Sequence, residues 1–282
     1  MSREETPRSA DREALIFLHI PKTAGTTLNR IIEWQYNPVL IFTVDPHRIR
    51  ATVARFKKFP EQRRRRFRVV RGHLLYGIHE FLPQGATYIT MLRDPVARVL
   101  STYAFILRRP LHPLHRKLKA GRLGVEDLVR MTPHRQNLQC RFISGIGVGP
   151  ACDERVLEIA KENLTRAFRI VGLCERFQES LCLMIAAFGW KVPFYTNRKV
   201  TKSRPSIEPN GIDMIRECNR FDLELYDFAR KTFEENLRRN PDVIRNGLAT
   251  LNSRQNPGRL KESWYSALGT GRFLLTKAIS AL

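Results

Sequence analysis

Residues 15–27, which read LIFLHIPKTAGTT, decide the fold of this 282-residue chain. The apolar run of residues 15–20 predicts a buried strand, and the polar residues 21–27 predict a tight turn. Apolar residues return at helical spacing from Leu28 onward, so a helix is predicted to follow the turn. A strand, a tight loop and a helix in this order place a helix N-terminus where it can bind an anion.

The same order of strand, turn and helix recurs along the chain, which predicts an α/β domain with a mainly parallel central sheet flanked by helices. Asp94 is expected to cap the helix that follows the strand at 87–92, with Pro95 at its first position. Since ligands bind at the carboxyl ends of parallel strands, polar residues there are the functional candidates. The other predicted strands are 67–70 and 168–172, and the longer predicted helices are 153–167, 175–188 and 211–237.

One domain accounts for the length, because an apolar fraction of 43% fills a core and no repeat or low-complexity linker divides the chain. The predicted boundaries are a flexible tail at 1–13, the domain at 14–240 and a C-terminal extension at 241–282. The extension is expected to dock on the domain, with a membrane surface as the alternative. Five cysteines without a C-x-x-C pair predict reduced thiols, and the longest apolar run, 181–190, is half a membrane span. We therefore expect a cytoplasmic protein, with peripheral membrane contact left open.

Positive charge is the unusual feature of the composition, with 49 Lys and Arg against 27 Asp and Glu and a net charge of +22. Segments 48–71, 108–135 and 196–204 carry +20 of that excess. Such clustering is typical of an anion-binding surface, although a solvated basic face is the plain alternative. No recognised nucleic-acid motif accompanies the charge, so nucleic acid is not the favoured partner.

The turn after the first strand carries the chemistry of an oxyanion site. Gly25 lets the backbone approach an anion, Lys22 supplies a positive charge, and two threonine hydroxyls can donate hydrogen bonds. The lysine precedes the glycine, unlike the Walker order, which weakens the hypothesis of a magnesium-ATP kinase. A polar turn with a capping threonine is the structural alternative.

Two other strand ends carry candidate residues. Arg93 and Ser101, a little over two helical turns apart, can hold one phosphate from two directions, although Arg-Asp-Pro is also a common helix start. His73 follows Arg71 and Gly72 at a strand's carboxyl end, where a histidine can act as a general base near neutral pH. His19 lies inside the predicted first strand and is interpreted as a core residue.

Together these motifs resemble the sulfotransferase family that includes heparan sulfate 2-O-sulfotransferase and its bacterial relatives. The resemblance covers about residues 14–240 and rests on segments 17–27, 71–73 with 76–77, and 88–103, followed in order by 137–139, 163–164, 171–177 and 222–226. Two differences stand out. The 2-O-sulfating relatives have a second histidine where Arg71 stands, and the membrane anchor of the animal relatives is missing from this sequence.

The resemblance implies a P-loop-like three-layer fold and 3′-phosphoadenosine 5′-phosphosulfate as the sulfuryl donor, with no metal. By the family pattern His73 is the catalytic base and Lys22 belongs to both the catalytic and the donor-binding set. Arg93 and Ser101 would hold the 3′-phosphate. The 5′-phosphosulfate loop would consist of Lys22, Thr23, Ala24, Gly25, Thr26 and Thr27.

The sequence thus predicts an enzyme that moves a sulfuryl group to a hydroxyl of a carbohydrate acceptor, an anionic glycan or glycolipid. The basic segment with Arg198, Lys199 and Thr201 is predicted to contact the nucleotide, with a mobile loop as the alternative. Two other functions remain open at this point. They are a P-loop-type nucleotide-dependent phosphotransferase and a protein that binds nucleic acid or another polyanion.

Overall fold

The computed structural model describes residues 13–147, 149, 151–193, 195 and 207–254. Five strands form one sheet in the order β2-β3-β1-β4-β5, and every neighbouring pair is parallel. This arrangement confirms the predicted α/β class with a parallel central sheet flanked by helices. The strands are β1 (Ala14–Leu18), β2 (Ile41–Thr43), β3 (Val69–Gly72), β4 (Ala86–Leu92) and β5 (Phe168–Leu173).

The helices follow the strands along the chain and cover the sheet with apolar side chains. Asp94 caps α4 as predicted, since its carboxylate accepts a hydrogen bond of 2.7 Å from the Ala97 N–H, and Pro95 is the first helical residue. The helices are α1 (Gly25–Gln35), α2 (Ile49–Lys58), α3 (Glu61–Arg65), α4 (Pro95–Leu107), α5 (His115–Lys119), α6 (Val125–Met131), α7 (Leu138–Ser144), α8 (Glu154–Ala167), α9 (Phe177–Phe188), α10 (Pro209–Cys218), α11 (Arg220–Arg239) and α12 (Pro241–Arg254). Short 3₁₀ helices lie at Pro38–Leu40, Ile78–Phe81, Pro133–Arg135 and Cys174–Arg176.

Strand β2 and the helix predicted at 211–237 are two of the differences from the prediction. Strand β2 was missed because it has only three residues, too few to show a period. The helix predicted at 211–237 is two helices, α10 and α11, that meet at Asn219. The Asn219 side chain is 1% exposed; its amide donates to the Ile215 carbonyl at 2.8 Å and its oxygen accepts the Asn137 N–H at 3.1 Å. A buried asparagine that bonds the backbone in this way ends one helix and begins the next.

The chain beyond residue 240 continues as α12, which packs on α9. Leu251 is fully buried there, and Gly247 lies against Cys182 so closely that a Cβ would contact its sulfur at 2.6 Å. Residues 255–282 lie outside the described part, so the predicted domain boundaries stay predictions. Among the helices that are described, none has the length and apolar character that crossing a bilayer requires.

Candidate active site at the carboxyl ends of the strands

Because all five strands are parallel, the segments that follow β1, β3, β4 and β5 meet at one edge of the sheet. Lys22 lies in the loop after β1, His73 follows β3, Arg93 follows β4 and Glu175 follows β5. The structure therefore brings three of the sequence-predicted residues, Lys22, His73 and Arg93, to the same edge. Arg198, Lys199 and Thr201 lie outside the described residues.

The loop after β1 has an unusual backbone. Lys22 and Ala24 have φ angles of 74° and 61°, in the left-handed region that residues with a side chain rarely occupy. Thr23 lies between them with its side chain fully buried, and its hydroxyl donates to the Ile20 carbonyl at 2.9 Å. The Thr23 hydroxyl therefore holds the turn in shape.

Helix α1 begins directly after this turn. The N–H groups of Thr27 and Leu28 donate to the Ala24 carbonyl at 3.0 and 3.3 Å. The first N–H groups of a helix have no partner within the helix, so those of Gly25 and Thr26 point out of its N-terminus toward the edge of the sheet. Thr26 is exposed, whereas Thr27 is 8% exposed. The geometry is suited to an anion at the start of α1.

His73 is held at the tip of a sharp turn. Gly72 has a φ of 135°, and a Cβ at that position would lie 2.8 Å from the Val44 Cβ, so only glycine fits. The Leu74 N–H donates to the Gly72 carbonyl at 2.9 Å and closes the turn around His73.

The tautomer of His73 follows from its hydrogen bond. Its Nδ1 lies 2.7 Å from the His19 carbonyl oxygen, which can only accept, so Nδ1 carries the proton. Nε2 of the neutral ring is then the unprotonated nitrogen, which is the atom a general base needs. Burial lowers the pKa of His73 below its usual 6.5 and favours the neutral form at physiological pH.

The interpretation of His19 as a core residue of the first strand is wrong. Strand β1 ends at Leu18, and His19 is half-buried just beyond it. Its ring centroid lies 4.4 Å from that of His73, its Nδ1 lies 3.4 Å from the Asn29 amide nitrogen, and the ring packs on Gly25. One residue thus supports both the turn of His73 and the start of α1. The strand's length was the missing signal, since the apolar run continues through Ile20 while strand pairing stops at Leu18.

Arg93 is positioned through its backbone and its side chain. The buried Gln139 amide brackets its backbone, accepting from the Arg93 N–H and donating to the Arg93 carbonyl, each at 2.9 Å. The guanidinium donates from Nη1 to the Lys22 carbonyl at 3.1 Å, and its Nε lies 3.9 Å from the Glu175 carboxylate. Arg93 therefore joins the ends of β1, β4 and β5.

Gln139 and Glu175 are two residues of this site that were not among the candidates predicted from the sequence. Glu175 accepts hydrogen bonds from the Asp94 N–H at 3.2 Å and the Tyr226 hydroxyl at 2.9 Å. Both lie in segments that carried the family resemblance, 137–139 and 171–177, and that resemblance was the available signal. Gln139 positions the backbone of Arg93, and Glu175 lies beside its guanidinium.

Ser101 lies on α4, one turn before Phe105. The Lys22 amine rests 4.4 Å from the centroid of the Phe105 ring. Residues four apart share one face of a helix, so the Ser101 side chain and the Lys22 amine lie on the same side of α4. The loop after β1 and the face of α4 that carries Ser101 therefore border one space.

The basic segment 48–71 does not border this site as a unit. Arg71 is 1% exposed and donates to Glu33 at 2.5 Å, to the Asn29 carbonyl at 2.7 Å and to Thr43 at 3.0 Å. It is a buried structural residue, not part of a charged surface. Arg66 precedes β3 and so lies at the opposite edge of the sheet from His73, because β3 runs between them.

Comparison with known proteins places the chain in a family. The family model described as Galactose-3-O-sulfotransferase matches residues 2–261. Galactose-3-O-sulfotransferase 2 of Sus scrofa is 26% identical over 70% of this chain and 52% of its own length. Human heparan-sulfate 6-O-sulfotransferase 1 is 26% identical over 54% of this chain and 44% of its own length.

The chain thus spans about half the length of the curated relatives it matches. A solved structure, mouse sulfotransferase SULT7A1 complexed with PAP, covers 86% of this chain and 89% of its own at 14% identity, but its TM-score of 0.37 is too low to bear on the site. The predicted sulfotransferase family is confirmed, whereas the 2-O-sulfotransferase branch and a bacterial type are not supported. The family model matches more than nine tenths of this chain, so the chain belongs to the galactose-3-O-sulfotransferase family.

Proposed function

We propose that this chain transfers the sulfuryl group of 3′-phosphoadenosine 5′-phosphosulfate to a hydroxyl of a carbohydrate, with His73 as the general base. The observation that carries the proposal is the hydrogen bond from His73 Nδ1 to the His19 carbonyl, which leaves Nε2 unprotonated. The His73 ring lies 4.4 Å from the ring of His19, the residue that follows β1. Family membership supports the reaction class, and the named relatives are sulfotransferases of galactose and of heparan sulfate.

The residues at the sheet edge fit the donor. Its two phosphate-bearing ends need positive charge at two places, and the structure offers Lys22 with the start of α1 at one and Arg93 with α4 at the other. The Arg93 Nε is buried without a hydrogen-bond partner among the described residues, and the Glu175 carboxylate beside it at 3.9 Å keeps the guanidinium oriented at the strand ends. Ser101 faces the same space as Lys22 and would add a hydroxyl to the 3′-phosphate.

In the proposed reaction the acceptor oxygen forms a bond to sulfur as the bond from sulfur to the phosphate oxygen breaks. His73 Nε2 takes the hydroxyl proton, which raises the nucleophilicity of the oxygen as it attacks. Lys22 and the N–H groups of Gly25 and Thr26 stabilise the charge that grows on the sulfuryl and leaving oxygens. The leaving group is adenosine 3′,5′-bisphosphate, held by Arg93 and Ser101.

Several finer points belong to the proposal. The net charge of +22 supports an anionic acceptor. Contacts of Arg198, Lys199 and Thr201 with the nucleotide, a cytoplasmic location and peripheral membrane contact stay predictions.

Calorimetry with adenosine 3′,5′-bisphosphate and ADP tests the donor assignment. We expect tighter binding of the 3′-phosphorylated nucleotide, and loss of that preference in Arg93→Ala. Hydrogen bonds to a charged group contribute about 1.5–3 kcal/mol, which corresponds to a roughly 10- to 150-fold weaker affinity. Arg108→Ala, which removes an exposed arginine just after α4, is the matched control and should bind as the wild type does. Equal affinity of the wild type for both nucleotides would refute the proposal.

His73→Ala tests the base. Nucleotide binding should persist, while sulfate transfer from the donor to a panel of galactosides and heparan sulfate falls by about 10²- to 10⁴-fold. His47→Ala, at an exposed histidine, is the control. Turnover that survives in His73→Ala would remove this residue from the base role.

A further inference from the structure

A line of unpaired positive charge runs along α2 and α3. Six exposed Lys and Arg side chains of this region form no ion pair among the described residues. The one acid in 48–68, Glu61, is paired with Arg65 at 2.9 Å. We call this surface the α2–α3 ridge. It consists of the exposed side chains of Arg48, Arg50, Lys57, Lys58, Arg63 and Arg66.

The ridge begins beside the proposed base. The Val44 N–H donates to the Arg71 carbonyl at 2.8 Å, and Val44 packs so closely on Gly72 that no side chain fits between them. His73 is the next residue after Gly72. Arg48 follows Val44 by four residues, with its N–H bonded to the Asp45 carbonyl at 3.1 Å in a turn. The first cation of the ridge is thus one short turn away from the strand end that holds His73.

From there the ridge leads away from the site. Helix α2 has ten residues and so a length of about 15 Å, and α3 carries the chain to the start of β3. At this lower end the Arg68 N–H donates to the Leu40 carbonyl at 2.8 Å, beside the first residue of β2. The ridge therefore extends from the carboxyl edge of the sheet to its amino edge.

The apolar side chains of this region point inward. Phe42, Phe56 and Phe67 are buried and pack on one another with ring centroids 4.7 to 6.0 Å apart. The exposed residues between the cations of α2 are Ala51 and Ala54. Helices that lie on a bilayer insert large side chains such as Trp, Phe and Leu. On α2 Ile49, 36% exposed, is the single large apolar residue at the surface among those described.

Some of these cations are held in place before any partner binds. The Arg63 guanidinium lies 3.9 Å from the centroid of the Phe59 ring, and the Lys57 amine lies 4.3 Å from that of Phe81. Contacts of a cation with an aromatic face restrict the side chain and reduce the entropy lost on binding. Two restricted charges within a set of six exposed cations suit a partner with repeated anionic groups.

We propose that the α2–α3 ridge binds an extended anionic polysaccharide, so that one sugar of the chain lies at His73 while its neighbours follow α2. This inference rests on the proposed sulfotransferase function for the reacting end only. Binding of the polysaccharide along the ridge itself involves ion pairs with sulfate or carboxylate groups and does not require turnover.

The test compares two variants that each remove two lysines and one arginine from exposed positions. The ridge variant is Lys57→Gln/Lys58→Gln/Arg63→Gln, and the control variant on α5 is Arg116→Gln/Lys117→Gln/Lys119→Gln. Fluorescence anisotropy measures binding of labelled heparin oligosaccharides, one disaccharide and one hexadecasaccharide. Because each exposed ion pair is weak but three are lost together, we expect the ridge variant to bind the hexadecasaccharide about tenfold more weakly, with a smaller salt dependence. The disaccharide should bind equally to all three proteins.

The outcomes are distinct. Equal losses in the two variants would show that net charge alone attracts heparin, and the proposal would fail. It would also fail if the ridge variant kept its heparin affinity but lost binding to phosphatidylserine-containing vesicles, since the surface would then be a membrane contact. Calorimetry with adenosine 3′,5′-bisphosphate should be unchanged in the ridge variant. If the wild type binds heparin along the ridge but does not bind this nucleotide, the proposed function is wrong, while polysaccharide binding by the ridge is still supported.

Discussion

Replacing Arg71 by methionine should strongly destabilise the fold. The Arg71 and Glu33 side chains are each 1% exposed, and the guanidinium makes three hydrogen bonds, to Glu33, Asn29 and Thr43. Arg71→Met fills similar space but leaves the Glu33 carboxylate buried without its cation. Breaking a buried ion pair in this way costs about 3–5 kcal/mol, a large part of the roughly 5–15 kcal/mol that stabilises a typical domain.

Urea unfolding followed by circular dichroism measures this cost. With an m-value of about 3 kcal/mol/M, the unfolding midpoint should fall by roughly 1–1.7 M. Arg50→Met makes the same substitution at an exposed position of α2 and should change the free energy of unfolding by less than about 0.5 kcal/mol.

The double variant Arg71→Met/Glu33→Leu separates charge burial from packing. Removing both charges eliminates the uncompensated carboxylate, so stability should return toward the wild type. Nucleotide affinity should persist in every variant that folds, because Arg71 points into the protein. Coinciding midpoints for Arg71→Met and Arg50→Met would refute the assignment of Arg71 as a structural residue.

Two further predictions concern the site. Burial lowers the pKa of His73, and the ring must be neutral to accept a proton, so kcat/KM should rise with pH to a plateau with an apparent pKa below 6.5; a rise centred above pH 7 would contradict this. Gln139→Leu leaves the Arg93 N–H and carbonyl without the amide that brackets them, at a cost of about 1–3 kcal/mol for each group. We expect a lower melting temperature and weaker binding of adenosine 3′,5′-bisphosphate, with partial recovery in Gln139→Glu, and unchanged affinity by calorimetry would argue against a positioning role.

The sequence was informative where local patterns are strong. The apolar run before the turn at 21–27 and the Asp94-Pro95 helix start predicted β1, α1 and the start of α4, because each depends on neighbouring residues alone. Parallel pairing then follows from the alternation of strands and helices. For the same reason the sequence alone predicts Lys22, His73 and Arg93 at one edge of the sheet.

Features that depend on distant contacts could not be predicted. The side-chain bonds of Asn219 divide α10 from α11, yet its partner Asn137 lies 82 residues away. Arg71 belongs to the most basic segment of the sequence, but its burial depends on Glu33 from α1. His19 continues an apolar run, and only the pairing of β1 with its neighbours shows that the strand has already ended.

The central position of β1 separates two tasks. Its neighbour on one side, β3, delivers His73, and its neighbour on the other side, β4, delivers Arg93. Under the proposed function, the β3 side of β1 selects the acceptor hydroxyl and the β4 side selects the nucleotide. The loop that holds the sulfuryl group follows β1 between them, so the two sides can be exchanged separately. Exchange of residues 36–68 between relatives should therefore transfer acceptor preference and leave donor affinity intact, which offers a direct way to engineer new sulfation specificities on one scaffold.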